Sequence, residues 1–187
     1  MQKVFFYGSL RDHELLETVL GRPVDPASFR PARAEGYATR RLRGEAYPVL
    51  VPEPGSGAAG VLLTGVGDDD LARLSFFEEA EYGLASLMVE TAEGAVEARY
   101  FRGTGKTAAL AEPWDFEAWR QHDRTTALLA AEELMHHFGR LPVEEIDTLW
   151  PGIMIRARQR ARARAESGAP GSLDTPFAPD RKSTRLN

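Results

Sequence analysis

Lys3-Val4-Phe5-Phe6-Tyr7-Gly8-Ser9-Leu10-Arg11 is the stretch on which the reading of the fold turns. A β-branched and aromatic run stops at a glycine, which predicts a strand over Lys3–Tyr7 and then a turn. From Asp12 to Leu20 the apolar residues Leu15, Leu16, Val19 and Leu20 recur at helical spacing, and Gly21 stops them. The glycine between strand and helix frees the backbone to expose consecutive N–H groups. Such a nest beside a helix N-terminus binds a carboxylate or a phosphate. Taken alone, the same residues also make a purely structural turn.

Working outward, residues 22–36 are rich in Pro and Arg and read as loop. Strands are expected over Gly44–Val51 and Gly60–Val66, separated by the turn-rich Pro52-Glu53-Pro54-Gly55-Ser56-Gly57. Asp68-Asp69-Asp70 opens a short helix, where carboxylates cap free N–H groups and suit the helix dipole. Leu84–Glu90 and Ala95–Phe101 alternate around Glu93-Gly94 and predict a hairpin. Short strands with few helices make the chain α+β, with a small, partly closed mixed sheet or barrel. After about residue 112 the composition changes. One long amphipathic helix is expected over Trp114–Phe138 and another over Val143–Ala165, broken or kinked at Pro151. The expected organisation is a domain over 1–112, a helical extension over 113–166 and a linker over 167–179. Asp180–Asn187 matches one reading frame of a common sequencing-library adapter and is set apart as an artefact, which implies that the natural chain continues beyond Pro179.

Composition narrows the chemistry. The 187 residues contain no cysteine, which excludes disulfides, thiolate metal sites and a cysteine nucleophile. A net charge of −5 argues against wholesale nucleic-acid binding. No apolar run approaches the roughly 20 residues of a membrane span, and the first strand is too short for a signal-peptide core, so a cytoplasmic location is expected. His136 and His137 are adjacent and point to different sides of a helix, so they do not chelate one metal. The alternating arginines from Arg156 to Arg164 spread around a helix axis and read as a solvated connector. No metal or cofactor is called for.

A second constellation is Leu74-Ser75-Phe76-Phe77-Glu78-Glu79-Ala80-Glu81-Tyr82. Apolar neighbours and a helix C-terminus both disfavour an ionised carboxyl, and a glutamate so tuned would take and return a proton near neutral pH. The bland alternative is a solvated acidic helix end.

The two constellations together resemble the gamma-glutamylcyclotransferase-like superfamily. Tyr7, Gly8, Ser9 and Leu10 match its early Tyr-Gly-Ser/Thr-Leu strand end. Tyr47-Pro48 matches a Tyr-Pro element, and Gly60 the glycine that opens the next strand. Leu74, Glu78 and Tyr82 match in part a Leu-Asp-x-x-Glu-Gly segment followed by Tyr, and Ala98-Arg99-Tyr100 a closing Ala-x-Tyr strand. The resemblance covers roughly residues 1–102. Ser75 and Glu79 depart from it, standing where the family has Asp and Gly, which leaves Glu79 and Glu81 as competitors of Glu78. Glu78 lies four residues after Leu74, as the pattern requires. The resemblance implies a cytoplasmic enzyme that cyclises a γ-glutamyl group to 5-oxoproline. In that reading Glu78 moves the proton, Gly8, Ser9 and Leu10 cradle the substrate, and Tyr7 and Tyr100 line the pocket. An alternative reading comes from bacterial proteins in which such a domain and an Arg-rich helical linker precede a Nudix-type pyrophosphatase acting on ADP-ribose-like compounds. There the present chain would be an auxiliary or binding module, and the Nudix domain would lie in a missing C-terminal part.

Overall fold

The first strand is buried on both faces, and the architecture follows from that. The structure is a computed structural model that describes residues 1–78, 82–103 and 109–168. Strand β1 (Gln2–Phe6) pairs antiparallel with β3 (Pro48–Val66) on one side and parallel with β5 (Gly94–Gly103) on the other. β5 pairs with β4 (Tyr82–Thr91), β4 with β2 (Phe29–Leu42), and β2 with β3, so five strands close into a mixed barrel. A sixth strand, β6 (Ala109–Pro113), adds to β2.

Side chains alternate across a strand, so β1 feeds two cores at once. Phe5 and, just beyond the strand, Tyr7 join Ala34, Leu50, Ala58, Leu62 and Ala98 in a cluster that fills the barrel. Small alanines facing aromatic rings suit a narrow interior. Val4 and Phe6 point the other way, into a cluster with Leu15, Leu16 and Val19 of α1 (His13–Leu20). Asp12 caps α1 by accepting from the Leu15 amide at 3.0 Å, and Gly21 closes it in the left-handed region at φ 64°. The helix expected over Asp12–Leu20 is therefore present, and so are the hairpin around Glu93-Gly94 and α2 (Asp68–Glu78).

Several expectations are corrected. Residues 29–36 are strand rather than loop. Their inward positions, Ala32 and Ala34, are buried while Arg33 and Glu35 face out, so the alternation is carried only by alanines, a weak apolar mark. β3 runs through the predicted Pro52–Gly57 turn. The register passes from Glu35 opposite Gly57 to Tyr37 opposite Pro52, so the turn residues form a bulge, with Gly55 at φ 86°. The helix expected over Trp114–Phe138 is two helices, α3 (Phe116–His122) and α4 (Arg124–Met135), which part at Asp123. α5 (Val143–Glu166) runs through Pro151. Ile146, Ile153 and Ala157 are fully buried against Leu129, Ala130 and Leu134 of α4, and this contact offsets the lost helical hydrogen bond. Trp114, Trp119 and Ala131, beyond the boundary expected near residue 112, share the cluster of Val4 and Phe6. The linker past Gly168 and the Asp180–Asn187 tail lie outside the described residues. No helix of the described residues is long and apolar enough to cross a membrane.

Two contacts carry predictions. A Cβ built on Gly60 collides with the Phe6 carbonyl oxygen and the Phe5 ring. Because the backbone oxygen has no room to move, Gly60→Ala should cost about 1–3 kcal/mol or more, read as a lower denaturation midpoint. Arg22 grips Asp70 through Nε at 2.8 Å and Nη2 at 2.7 Å, and the Gly67 amide donates to Asp70 at 3.0 Å. The Arg22 hydrogen bonds hold the Asp70 carboxyl below its ordinary value. A depressed folded pKa gives stability that is present above the unfolded value of about 3.9 and is lost as pH falls through the folded value. Asp70→Asn should therefore lower stability at neutral pH and flatten the acid limb of the stability profile.

Candidate functional site

A cavity of ≈ 240 Å³ lies where the end of β1, the start of β3, the end of α2 and helices α3 to α5 meet. β1 is followed by Tyr7 and Gly8, and Ser9–Arg11 forms a single 3-10 turn. The Arg11 amide donates to Gly8 O at 3.1 Å and the Asp12 amide to Ser9 O at 2.9 Å. The amides of Gly8, Ser9 and Leu10 precede these bonds, where a short helix offers its first N–H groups no acceptor of its own. Gly8 packs on Pro48: a Cβ there would stand 3.2 Å from the proline ring. The Pro48 carbonyl accepts from the Tyr82 hydroxyl at 3.2 Å, and the Tyr47 and Tyr82 rings meet edge-on at 6.4 Å.

Glu78 ends α2 and is half-buried on the cavity wall beside Phe77. Phe76, two residues earlier, is anchored among the α4 and α5 side chains and meets Phe138 edge-on at 5.4 Å. The helix end is thus fixed by packing on the side away from the barrel. Tyr7 is buried and its hydroxyl donates to Phe101 O at 2.7 Å. Burial first, and the negative charge of Glu78 second, push the Tyr7 phenol well above the ordinary tyrosine value. It is therefore a neutral hydrogen-bond donor over the whole physiological range.

Tyr7, Gly8, Ser9, Leu10 and Glu78 all line this one cavity, with Tyr47, Pro48 and Tyr82 between them. Tyr100 does not line it. Its ring lies in the barrel interior, edge-on to Tyr7 at 6.5 Å, so it buttresses the wall from behind. Glu79 and Glu81, the competitors of Glu78, fall outside the described residues. Sequence reasoning missed the far wall, formed by Trp119 of α3, Asp123 between the helices, Thr126 of α4, and Trp150, Met154 and Arg158 of α5. The last three recur every fourth residue, one face of a helix, and that spacing was the available signal.

The sequence profile described as gamma-glutamyl cyclotransferase, AIG2-like, matches residues 4–121, more than half of the chain. The chain belongs to the AIG2-like gamma-glutamyl cyclotransferase family. Among its relatives, AIG2-like protein C of Arabidopsis thaliana is 32% identical over 142 residues, covering 74% of this chain and 80% of that one. Two solution structures of Arabidopsis thaliana proteins share the fold. One has a TM-score of 0.54 at 23% identity and covers 95% of each chain. The other has a TM-score of 0.53 at 24% identity and covers 75% of this chain and 94% of that one. The family's profile ends inside α3, so α4 and α5 lie beyond the segment it matches.

The Tyr7 contacts give a testable sign. A raised folded pKa leaves stability intact below the ordinary tyrosine value of about 10 and erodes it as pH rises toward the folded value. Denaturation across the alkaline range should show that loss in the natural protein. Tyr7→Phe should remove this share of it, at a cost near neutrality of roughly 1–3 kcal/mol for the Phe101 carbonyl left without its donor.

Proposed function

We propose that this protein cyclises a γ-glutamyl group to 5-oxoproline and releases an amine or amino acid. The observation that carries the reading is that a half-buried carboxylate, Glu78, and the Gly8–Leu10 turn border the same hollow. Membership of the family agrees with it.

In this reaction the α-nitrogen of the γ-glutamyl group attacks its own γ-carbonyl carbon. A C–N bond closes the five-membered lactam, and the original amide C–N bond breaks. Folding the substrate so that the two atoms meet supplies much of the rate, because ring closure needs no second reactant. Glu78 takes the proton that the attacking nitrogen must lose and returns it to the departing nitrogen, so the enzyme ends as it began. The amides of Gly8, Ser9 and Leu10 hold the substrate carboxylate or the oxyanion that forms on the γ-carbonyl. The neutral phenol of Tyr7 forms the wall beside them, and Tyr100 acts through Tyr7 by keeping its ring in place.

Incubation of the protein with γ-glutamyl dipeptides and γ-glutamyl amines, with 5-oxoproline measured, tests this directly. Glu78→Gln should cut turnover by about 10²–10⁴-fold with an unchanged circular dichroism spectrum. A folded Glu78→Gln protein with full turnover would remove Glu78 from the mechanism. A natural protein that binds γ-glutamyl compounds without forming 5-oxoproline would instead be a binding module.

A further inference from the structure

We propose that α5 is the specificity wall of this site, with Arg158 pairing with a carboxylate on the leaving group and Trp150 and Met154 packing on its apolar body. The inference rests on the cyclotransferase reading and adds the class of leaving group: an amino acid or peptide with a free carboxylate, rather than a simple amine.

Three observations carry it. α5 is seated by one face and offers another. Ile146, Ile153 and Ala157 are fully buried against α4, while Trp150, Met154 and Arg158 line the cavity. The wall is therefore rigidly held, as a selective surface must be.

Charge is the second. Among the described residues lining the cavity, Glu45, Glu78 and Asp123 are acidic and Arg158 is the one cation. Its neighbours in the arginine run are engaged elsewhere: Arg156 with Glu133, Arg160 with Glu132 and Arg162 with Glu166. Arg158 has no ion-pair partner among the described residues. A guanidinium presents a planar fork that matches a carboxylate.

Depth is the third. Tyr7 and Leu10 are buried and Gly8 and Ser9 half-buried, whereas Arg158 is exposed, so we take the turn after β1 as the deeper end of the cavity and Arg158 as the solvent side. A γ-glutamyl group held at the deeper end sends its leaving group outward past Trp150 and Met154 toward Arg158.

The test compares γ-glutamyl-leucine with γ-glutamyl-isoamylamine, which lacks only the leaving-group carboxylate. Titration calorimetry in a Glu78→Gln background reads binding without consuming the ligands. Arg158→Ala should weaken γ-glutamyl-leucine about tenfold, the scale of a charged hydrogen bond, and leave γ-glutamyl-isoamylamine unchanged. Arg158→Lys should restore part of the loss. Equal weakening of both ligands would mean that Arg158 serves the γ-glutamyl end or the fold, and would overturn the proposal; so would no change in either. Turnover of the two compounds by the natural protein is measured separately. If neither yields 5-oxoproline, the cyclotransferase reading falls while the calorimetric comparison still decides the role of Arg158.

Discussion

The absence of a side chain at Gly60 lets β3 lie directly on the Phe5 ring and the Phe6 carbonyl. That approach draws β1 into the barrel wall, with Phe5 turned inward and Val4 and Phe6 turned toward the helices. A strand embedded in two cores has no freedom to slip, because a shift of one residue would exchange its faces. The residue that follows it, Tyr7, is then locked by a hydrogen bond to the neighbouring strand. The turn that follows is delivered to a fixed place, and a carboxylate carried by a separate helix is able to face it. Loop position here is a consequence of strand packing rather than of loop sequence.

Much of this was legible in the residues. Phe5-Phe6-Tyr7 before Gly8, the apolar spacing over Asp12–Leu20, the Gly21 stop, Asp68-Asp69-Asp70 and the hairpin at Glu93-Gly94 are local signals, and local chemistry settles them. The family motifs also converge, since Tyr47, Pro48, Glu78 and Tyr82 meet the turn after β1. What escaped depends on distant partners. The inward alanines of β2 look like nothing until Leu62 and Tyr100 enclose them. The Pro52–Gly57 punctuation marks a bulge because β2 continues alongside it. Asp123 divides two helices although the apolar pattern runs on through it. Tyr100 matched a motif, yet only its neighbours show that it faces the barrel interior.

The arginine run shows the same point in electrostatic form. As a string it is uniformly basic. On α5 it is sorted residue by residue, with Arg156 and Arg160 reaching acidic partners on α4 and Arg162 reaching along its own helix. The arginine of each pair is about half-exposed or more, and only Glu133 is more sheltered, so each pair adds little to stability. Apolar contact from Ile146, Ile153 and Ala157 seats the helix, and the charges dress its outer surface.

Asp12 ties α1 to α4. One of its oxygens caps α1 and the other accepts from Arg124 at 2.7 Å, across 112 positions of chain. Together with β1, which waits for β3 and β5, this staple makes the architecture strongly non-local. During synthesis the N-terminal strand leaves the ribosome long before its partners, with Val4, Phe5 and Phe6 uncovered. Such topologies assemble late and slowly, and their unsheltered apolar segments are open to association with other chains in the meantime. A hollow walled by both β1 and α5 is therefore complete only after the later helices have been made.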